Sequence, residues 1–354
     1  MYYQPTIKAI DLFCGTGGLT YGLKKAGIDV TLGFDIDPDC KYSYEQNNNV
    51  PMKISDVNTV DPKEIKKHWK GADYTLLAGC APCQPFSTHT NKYGDRSSDR
   101  KWGLLYSFAR LIKETEPDFV TMENVAPLEK EEIFHNFLNT LEEMKYHVFY
   151  KTVFLPDYGV PQTRRRLVLL ASKFGKIELI PPTHEKDNYP TVRQFLGSLP
   201  PIQAGETDTK DTLHRSRDLS SINLERIRNS KPGGTWEDWP ESLLNECHKK
   251  ESGRTYSAVY GRMQWDEPGP TITTQFFTYG TGRFGHPEQD RALSLREGAL
   301  LQSFPINYKF YDLEKPLSID RVGKLIGNAV PPELGKIIGV SIINSLEGNE
   351  NATT

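Results

Sequence analysis

The sequence predicts an α/β fold: a mostly parallel sheet covered by helices on both faces, followed by a smaller irregular region. Three observations predict it. Short apolar runs alternate with helical stretches through the first half of the 354 residues. A glycine-rich turn separates the first strand from the first helix. After about Pro181 the alternation gives way to mixed proline, glycine and charge with no long periodic segment.

The elements follow in order. "IKAIDLFC", Ile7 to Cys14, reads as a buried strand. "GLTYGLKKAG" follows as a helix, with Leu19, Leu23 and Ala26 on one face and Gly27 as its stop. "VTLGFDID" is the second strand, and Pro38 opens the helix after it. "MKISD" and "DPKEIKKHW" are the third strand and its helix; "DYTLLAGC" is the fourth strand. "LLYSFARLIKETEP" is helical, "DFVTMENV" is the fifth strand and "EEIFHNFLNTLEEM" is helical. "HVFYKTVFL" and "RLVLLAS" are two further strands. "KPGGTWEDWPE" and "TTQFFTYGTGRFGHP" read as loops with short β pieces. Helical pattern returns at Ser294–Phe304, then in two helices around the Pro331-Pro332 turn.

Composition excludes several classes. No apolar run approaches the roughly 18 residues that span a bilayer. The N-terminus lacks the charged-then-apolar pattern of a signal peptide. Five cysteines at scattered spacing argue against a disulfide framework and for a reducing cytoplasm. Net charge is −3, so any nucleic-acid contact must use a local basic surface. The one dense basic cluster is Arg164, Arg165 and Arg166, which by composition alone is a solvated charge run.

Two sets of residues point to chemistry. Gly15, Gly17 and Gly18 lie between strand and helix, where glycine permits a tight turn and close backbone approach to a ligand. Their spacing is not that of a dinucleotide site, which disfavours NAD and FAD. Asp35 ends the second strand about 20 residues on, where such folds place an acid on ribose hydroxyls. Asp56 ends the third, within reach of an adenine amino group; a capping role is an equal reading. Together they point to an adenosine-containing cofactor at the carboxyl ends of the strands. The second set is "GCAPCQPFS", Gly79 to Ser87. Cys80 and Cys83 have ligand spacing, but no second pair follows at the spacing zinc needs, so no metal is expected. Pro85 disfavours the helix start of a thioredoxin-like pair. A buried small hydrophobe is the preferred reading of Cys80. Cys83 instead precedes a long polar loop of the kind that forms lids and binding loops.

"DLFCGTGG", "GCAPCQPFS", "MENV", "QTRRR", "REGALLQSFP" and "GNAVPP" together resemble the ordered motifs of the DNA cytosine-5 methyltransferases, from Ile7 to Pro332. The resemblance implies a Rossmann-like S-adenosylmethionine-dependent methyltransferase sheet with a smaller irregular target-recognition domain. It implies a catalytic and cofactor domain over 1–184, target recognition over 185–285 and a C-terminal return over 286–354. By the same resemblance Cys83 is the nucleophile that adds to cytosine C6, Glu123 holds or protonates N3, Arg166 contacts the O2 region and Arg164 supports the site. S-adenosylmethionine would meet Phe13, Gly15, Gly17, Gly18, Asp35, Ile36, Asp56, Leu104 and Asn328. Ser87 and Thr273 would meet DNA phosphate; Arg165, pointing away from Arg164 and Arg166, is solvated or on phosphate; and by residue type Arg254, Arg262 and Gln275 are candidate base readers or ordinary surface residues. The expected partners are double-stranded DNA and a restriction endonuclease acting on the same site, with the chain a monomer. Two departures stand out: Cys14 and Thr16 in "CGTGG", and Cys80-Ala81 before Pro82. Neither replaces a reacting group. An RNA-acting branch of the same family, or a silent DNA-binding module, are the competing readings; the sizeable recognition region disfavours the first, and the intact Pro-Cys and ENV motifs the second.

Overall fold

The computed structural model describes residues 5–82, 103–250 and 257–350, with side chains as far as 346. Seven strands form one sheet in the order β3-β2-β1-β4-β5-β7-β6. They are β1 (Ile7–Leu12), β2 (Asp29–Asp35), β3 (Met52–Ile54), β4 (Tyr74–Gly79), β5 (Phe119–Val125), β6 (His147–Phe154) and β7 (Arg165–Ser172). The first five are mutually parallel. β7 runs antiparallel to both β5 and β6. The central strands β1, β4 and β5 are mostly buried because both faces of the sheet are covered there.

Helices α1 (Gly18–Ala26), α2 (Cys40–Asn48), α3 (Pro62–His68), α4 (Gly103–Thr115) and α5 (Glu132–Glu143) connect these strands. Gly27 stops α1 in the left-handed conformation, its N–H on the Leu23 and Lys24 carbonyls. Asp61 caps α3, accepting the Lys63 N–H, with Pro62 at the first helical position. α4 and α5 turn apolar stripes onto the core, where Phe108 and Phe137 meet at 5.4 Å between ring centres.

The chain divides into two compact units. One comprises 1–154, 165–183 and 329–354; the other comprises 155–164 and 184–328. The sequence placed the C-terminal return at 286, but the chain rejoins the first unit only at Ala329. Residues 286–328 carry α8 (Leu295–Leu301) and α9 (Ile319–Asn328), and both pack within the second unit. The returning α10 (Pro332–Glu350) lies against α1. Gly22 makes this approach possible: a Cβ there would sit 2.2 Å from the Pro332 carbonyl oxygen.

The second unit has its own small core of Ile227, Trp236, Trp239, Leu243, Tyr279 and Ala292. Its helices α6 (Val192–Leu196) and α7 (Ser221–Arg228) were not expected from the sequence. α6 is one turn and α7 two, too short to show a periodic stripe. A buried ion pair anchors α8: Arg291 donates to both Glu297 oxygens at 2.7 Å, with 0% and 1% side-chain exposure. Glu297 also accepts the Ser294 N–H, and Ser294 Oγ accepts the Glu297 N–H, a reciprocal cap. Burial pushes the Glu297 carboxyl up, but Arg291 outweighs it with the other donors and holds it at about 2. Replacing Glu297 with Ala leaves Arg291 charged in an enclosed site. We expect Glu297→Ala to cost about 3–5 kcal/mol in urea unfolding; a loss below about 1 kcal/mol would show that Arg291 finds other partners.

Candidate active site

The glycine turn leaves β1 at its carboxyl end. Phe13, Gly15 and Gly17 take positive φ of 58°, 52° and 91°, and Gly18 starts α1. Asp35, at the end of β2, accepts the Gly15 N–H at 2.8 Å and the Asp37 N–H at 2.9 Å. Its carboxylate is thus fixed by the backbone of two adjacent loops. Burial pushes it above the ordinary aspartate value. A Cβ built on Gly15 would meet nothing within 4 Å, so the turn opens onto free space. Ile36 follows Asp35 with 66% of its surface exposed. Phe13 and Leu104 are partly buried against the main core. Asp56 caps a short 3-10 turn by accepting the Asn58 N–H at 2.9 Å, the second of its two sequence readings. An open backbone cradle, a fixed carboxylate and an exposed aliphatic side chain suit a nucleoside, with hydroxyls for the acid and a flat ring for the apolar face. Asn328 is exposed at the last residue of α9.

Along the same sheet edge, β5 carries Glu123 and β7 carries Arg166. Arg166 Nε lies 2.8 Å from Glu123 Oε1, with side-chain exposures of 13% and 8%. Burial pushes the Arg166 guanidinium below its ordinary value, and the Glu123 carboxylate pulls it back. Cys80 follows β4 beside this pair. Burial, then the Glu123 and Asp11 carboxyls, push its thiol well above the ordinary range. It stays protonated, which disqualifies it as a nucleophile. Asn124 donates to the Ala81 carbonyl at 2.9 Å and so anchors the chain two residues before Cys83. Arg164 is buried and donates to the Ile272 carbonyl at 2.9 Å.

The candidate DNA contacts separate into three groups. Cys83, Ser87 and Arg254 lie outside the described residues. Arg165, Thr273 and Gln275 are exposed, and Arg165 lies over the Phe154 ring at 4.7 Å. Arg262 is a correction. It is buried, and its guanidinium donates to the carbonyls of Ile227, His286 and Gln289 and to Asp290. Every donor of the fork is used within the protein, so it cannot read a base edge. Among the described residues, no three His, Cys, Asp or Glu side chains gather as a metal site.

One buried group escaped the sequence reading. Asp11, in β1 directly before the glycine turn, is 1% exposed. One oxygen accepts from Thr20 at 2.6 Å and the other has no hydrogen-bond partner. Burial raises its pKa to about 7; Thr20 opposes the rise and Asp35 adds to it. The signal was an acid inside an otherwise apolar strand. The folded chain holds this proton up to about pH 7, whereas the unfolded chain releases it near 3.8. Stability therefore falls as pH rises between those values and levels off above them, by on the order of 4 kcal/mol. Asp11→Asn should remove that slope. Unfolding of ligand-free wild type and variant at pH 4.5 and 8 should show the variant gaining at pH 8; equal differences at both values would place the Asp11 pKa near its ordinary one.

Residues 7–344 match the family model for C-5 cytosine-specific DNA methylases. The type II methylase M.HgiDII of Herpetosiphon aurantiacus is 52% identical, over 96% of each chain. The type II methyltransferase M1.HphI of Haemophilus parahaemolyticus is 32% identical, over 97% of this chain and 88% of its own. Among solved structures, an E. coli prophage protein described as a DNA modification methyltransferase superposes with a TM-score of 0.74 over 97% of this chain and all of its own, at 22% identity, and so supports the fold. A match over nearly the whole chain, with a relative more than half identical, makes the protein a member of the C-5 cytosine-specific DNA methylase family and a DNA (cytosine-5-)-methyltransferase.

Proposed function

We propose that the chain methylates cytosine in duplex DNA through a covalent bond between Cys83 and C6, with S-adenosylmethionine as donor. The enclosed Glu123–Arg166 pair carries this reading. It presents a carboxyl group and a guanidinium together at the sheet edge where the chain enters the Cys83 segment.

Cytosine C5 is a weak nucleophile. Attack of the Cys83 thiolate on C6 pushes electrons from the C5–C6 double bond into the ring, and charge builds toward N3 and O2. Glu123 holds or protonates N3, and Arg166 offsets charge at O2. S-adenosylmethionine, when bound, would supply an electrophilic methyl group to the enamine-like C5 and leave as its neutral thioether. Loss of the C5 proton, with water as the base, and departure of Cys83 restore the double bond and leave 5-methylcytosine. Arg164 takes the supporting role that the family resemblance implies, and its own guanidinium is held by the Ile272 carbonyl.

For the donor, Asp35 takes the ribose hydroxyls, Gly15 to Gly18 the methionine part, Phe13 and Ile36 the adenine faces, and Asp56 the amino group. Leu104 and Asn328 complete the contacts. The C5 and C6 atoms are stacked inside a duplex, so the base must be flipped out. Ser87, Thr273 and Arg165 take phosphate, while Arg254 and Gln275 read bases. A restriction endonuclease that cuts the same site is the expected companion, since the curated relatives named above are type II enzymes.

The test is transfer of labelled methyl from S-adenosylmethionine to duplex DNA and, separately, to bulk tRNA. Wild type should label DNA, Cys83→Ala should fall to background, and Glu123→Gln should lower kcat by on the order of 100-fold. Label in tRNA alone would move the protein to an RNA substrate. Label in DNA that survives Cys83→Ala would refute the covalent route.

A further inference from the structure

Gln162 opens the "QTRRR" motif, yet the mechanism above gives it no role. It is 0% exposed, and its amide is fully engaged. Its Oε1 accepts the Ile272 N–H at 3.0 Å. Its Nε2 donates to the Leu301 carbonyl at 2.9 Å and to Gln302 Oε1 at 2.7 Å. Gln302, also 0% exposed, passes its own Nε2 to the Ile326 carbonyl at 2.8 Å. Two buried amides therefore join three pieces of the second unit: the arginine motif, the segment after α8 and the end of α9.

The backbone of Ile272 is where this chain of bonds meets Arg164. Gln162 holds the Ile272 N–H, and Arg164 holds the Ile272 carbonyl. Around it, residues 161–164 and 269–271 are laced together. Gly269 N–H donates to the Pro161 carbonyl at 3.0 Å, Thr163 N–H to the Gly269 carbonyl at 2.8 Å and Thr271 Oγ1 to the Thr163 carbonyl at 2.9 Å. The next residue, Thr273, is exposed. Its carbonyl is pressed against α9, since a Cβ on Gly327 would lie 2.4 Å from it. Thr273 thus cannot shift without moving Ile272, and Ile272 cannot shift without breaking its bonds to Gln162 and Arg164.

We propose that Gln162, braced by Gln302, is a positioning residue that couples engagement of the DNA backbone at Thr273 to the placement of Arg164. The proposal rests on the DNA methyl-transfer reading and on Thr273 as its phosphate contact. An apolar side chain at 162 would remove the acceptor of the Ile272 N–H and the donor to Gln302 Oε1, a penalty that loosens the segment.

A double-mutant cycle tests it. Wild type, Thr273→Val, Gln162→Met and the double variant are compared by kcat/KM for DNA, with S-adenosylmethionine binding as the check on folding. Thr273→Val should cost about tenfold in the wild-type background and less than about twofold in the Gln162→Met background. A merely structural role for Gln162 would reduce the active fraction in both arms and leave the Thr273 ratio unchanged. If Gln162→Met does not fold, Gln302→Met breaks the pair from the other side, and the same cycle is run on it. Equal ratios in the two backgrounds, including no effect of Thr273→Val in either, overturn the coupling. A wild-type protein that fails to methylate DNA overturns the function and the coupling with it, whereas active wild type with equal ratios overturns the coupling alone.

Discussion

The antiparallel pairing of β7 with β5 is the constraint on which the site depends. In register, Val125 faces Arg166 and Glu123 faces Val168. Because β7 runs against β5, its first residues lie at the carboxyl end of β5, the edge where β1 and β2 deliver the glycine turn and Asp35. A parallel β7 would put Arg166 at the opposite edge, a strand length from Glu123. The reversed strand brings a cation to an edge otherwise furnished with carboxylates. An ion pair this enclosed gains little net stability, because desolvation offsets attraction. Its value is geometric: each group is aimed beside the other at the sheet edge.

Much of the fold could be read from the chain because its signals are local. The central strands are short, mostly apolar runs, and Gly27, Asp61 and Pro62 mark helix ends by the chemistry of their backbones. What could not be read depends on distant partners. Arg262 looks like a base reader by residue type, yet its acceptors come from residues 227, 286, 289 and 290. Nothing beside Arg262 in sequence announces those carbonyls. Gln162 and Gln302 are 140 residues apart, and a glutamine carries no periodic signal. Asp56 had two readings of equal standing, and the structure displays its cap directly. The family was legible through motif order, a property of the whole chain rather than of any one stretch.

The corner at the end of β1 and β2 has an unusual charge balance. Asp11 and Asp35 are both enclosed, and burial raises both. Together they also push the nearby Cys14 thiol up, after the effect of burial itself. Among the described residues, neither acid has a lysine or arginine partner. Backbone N–H groups and Thr20 are what they have instead. A fold selected for stability alone would place a cation here or remove an acid. Asp11, which keeps its proton up to about pH 7, and Asp35, held by the Gly15 and Asp37 N–H groups, meet that cost with protonation and backbone donors instead.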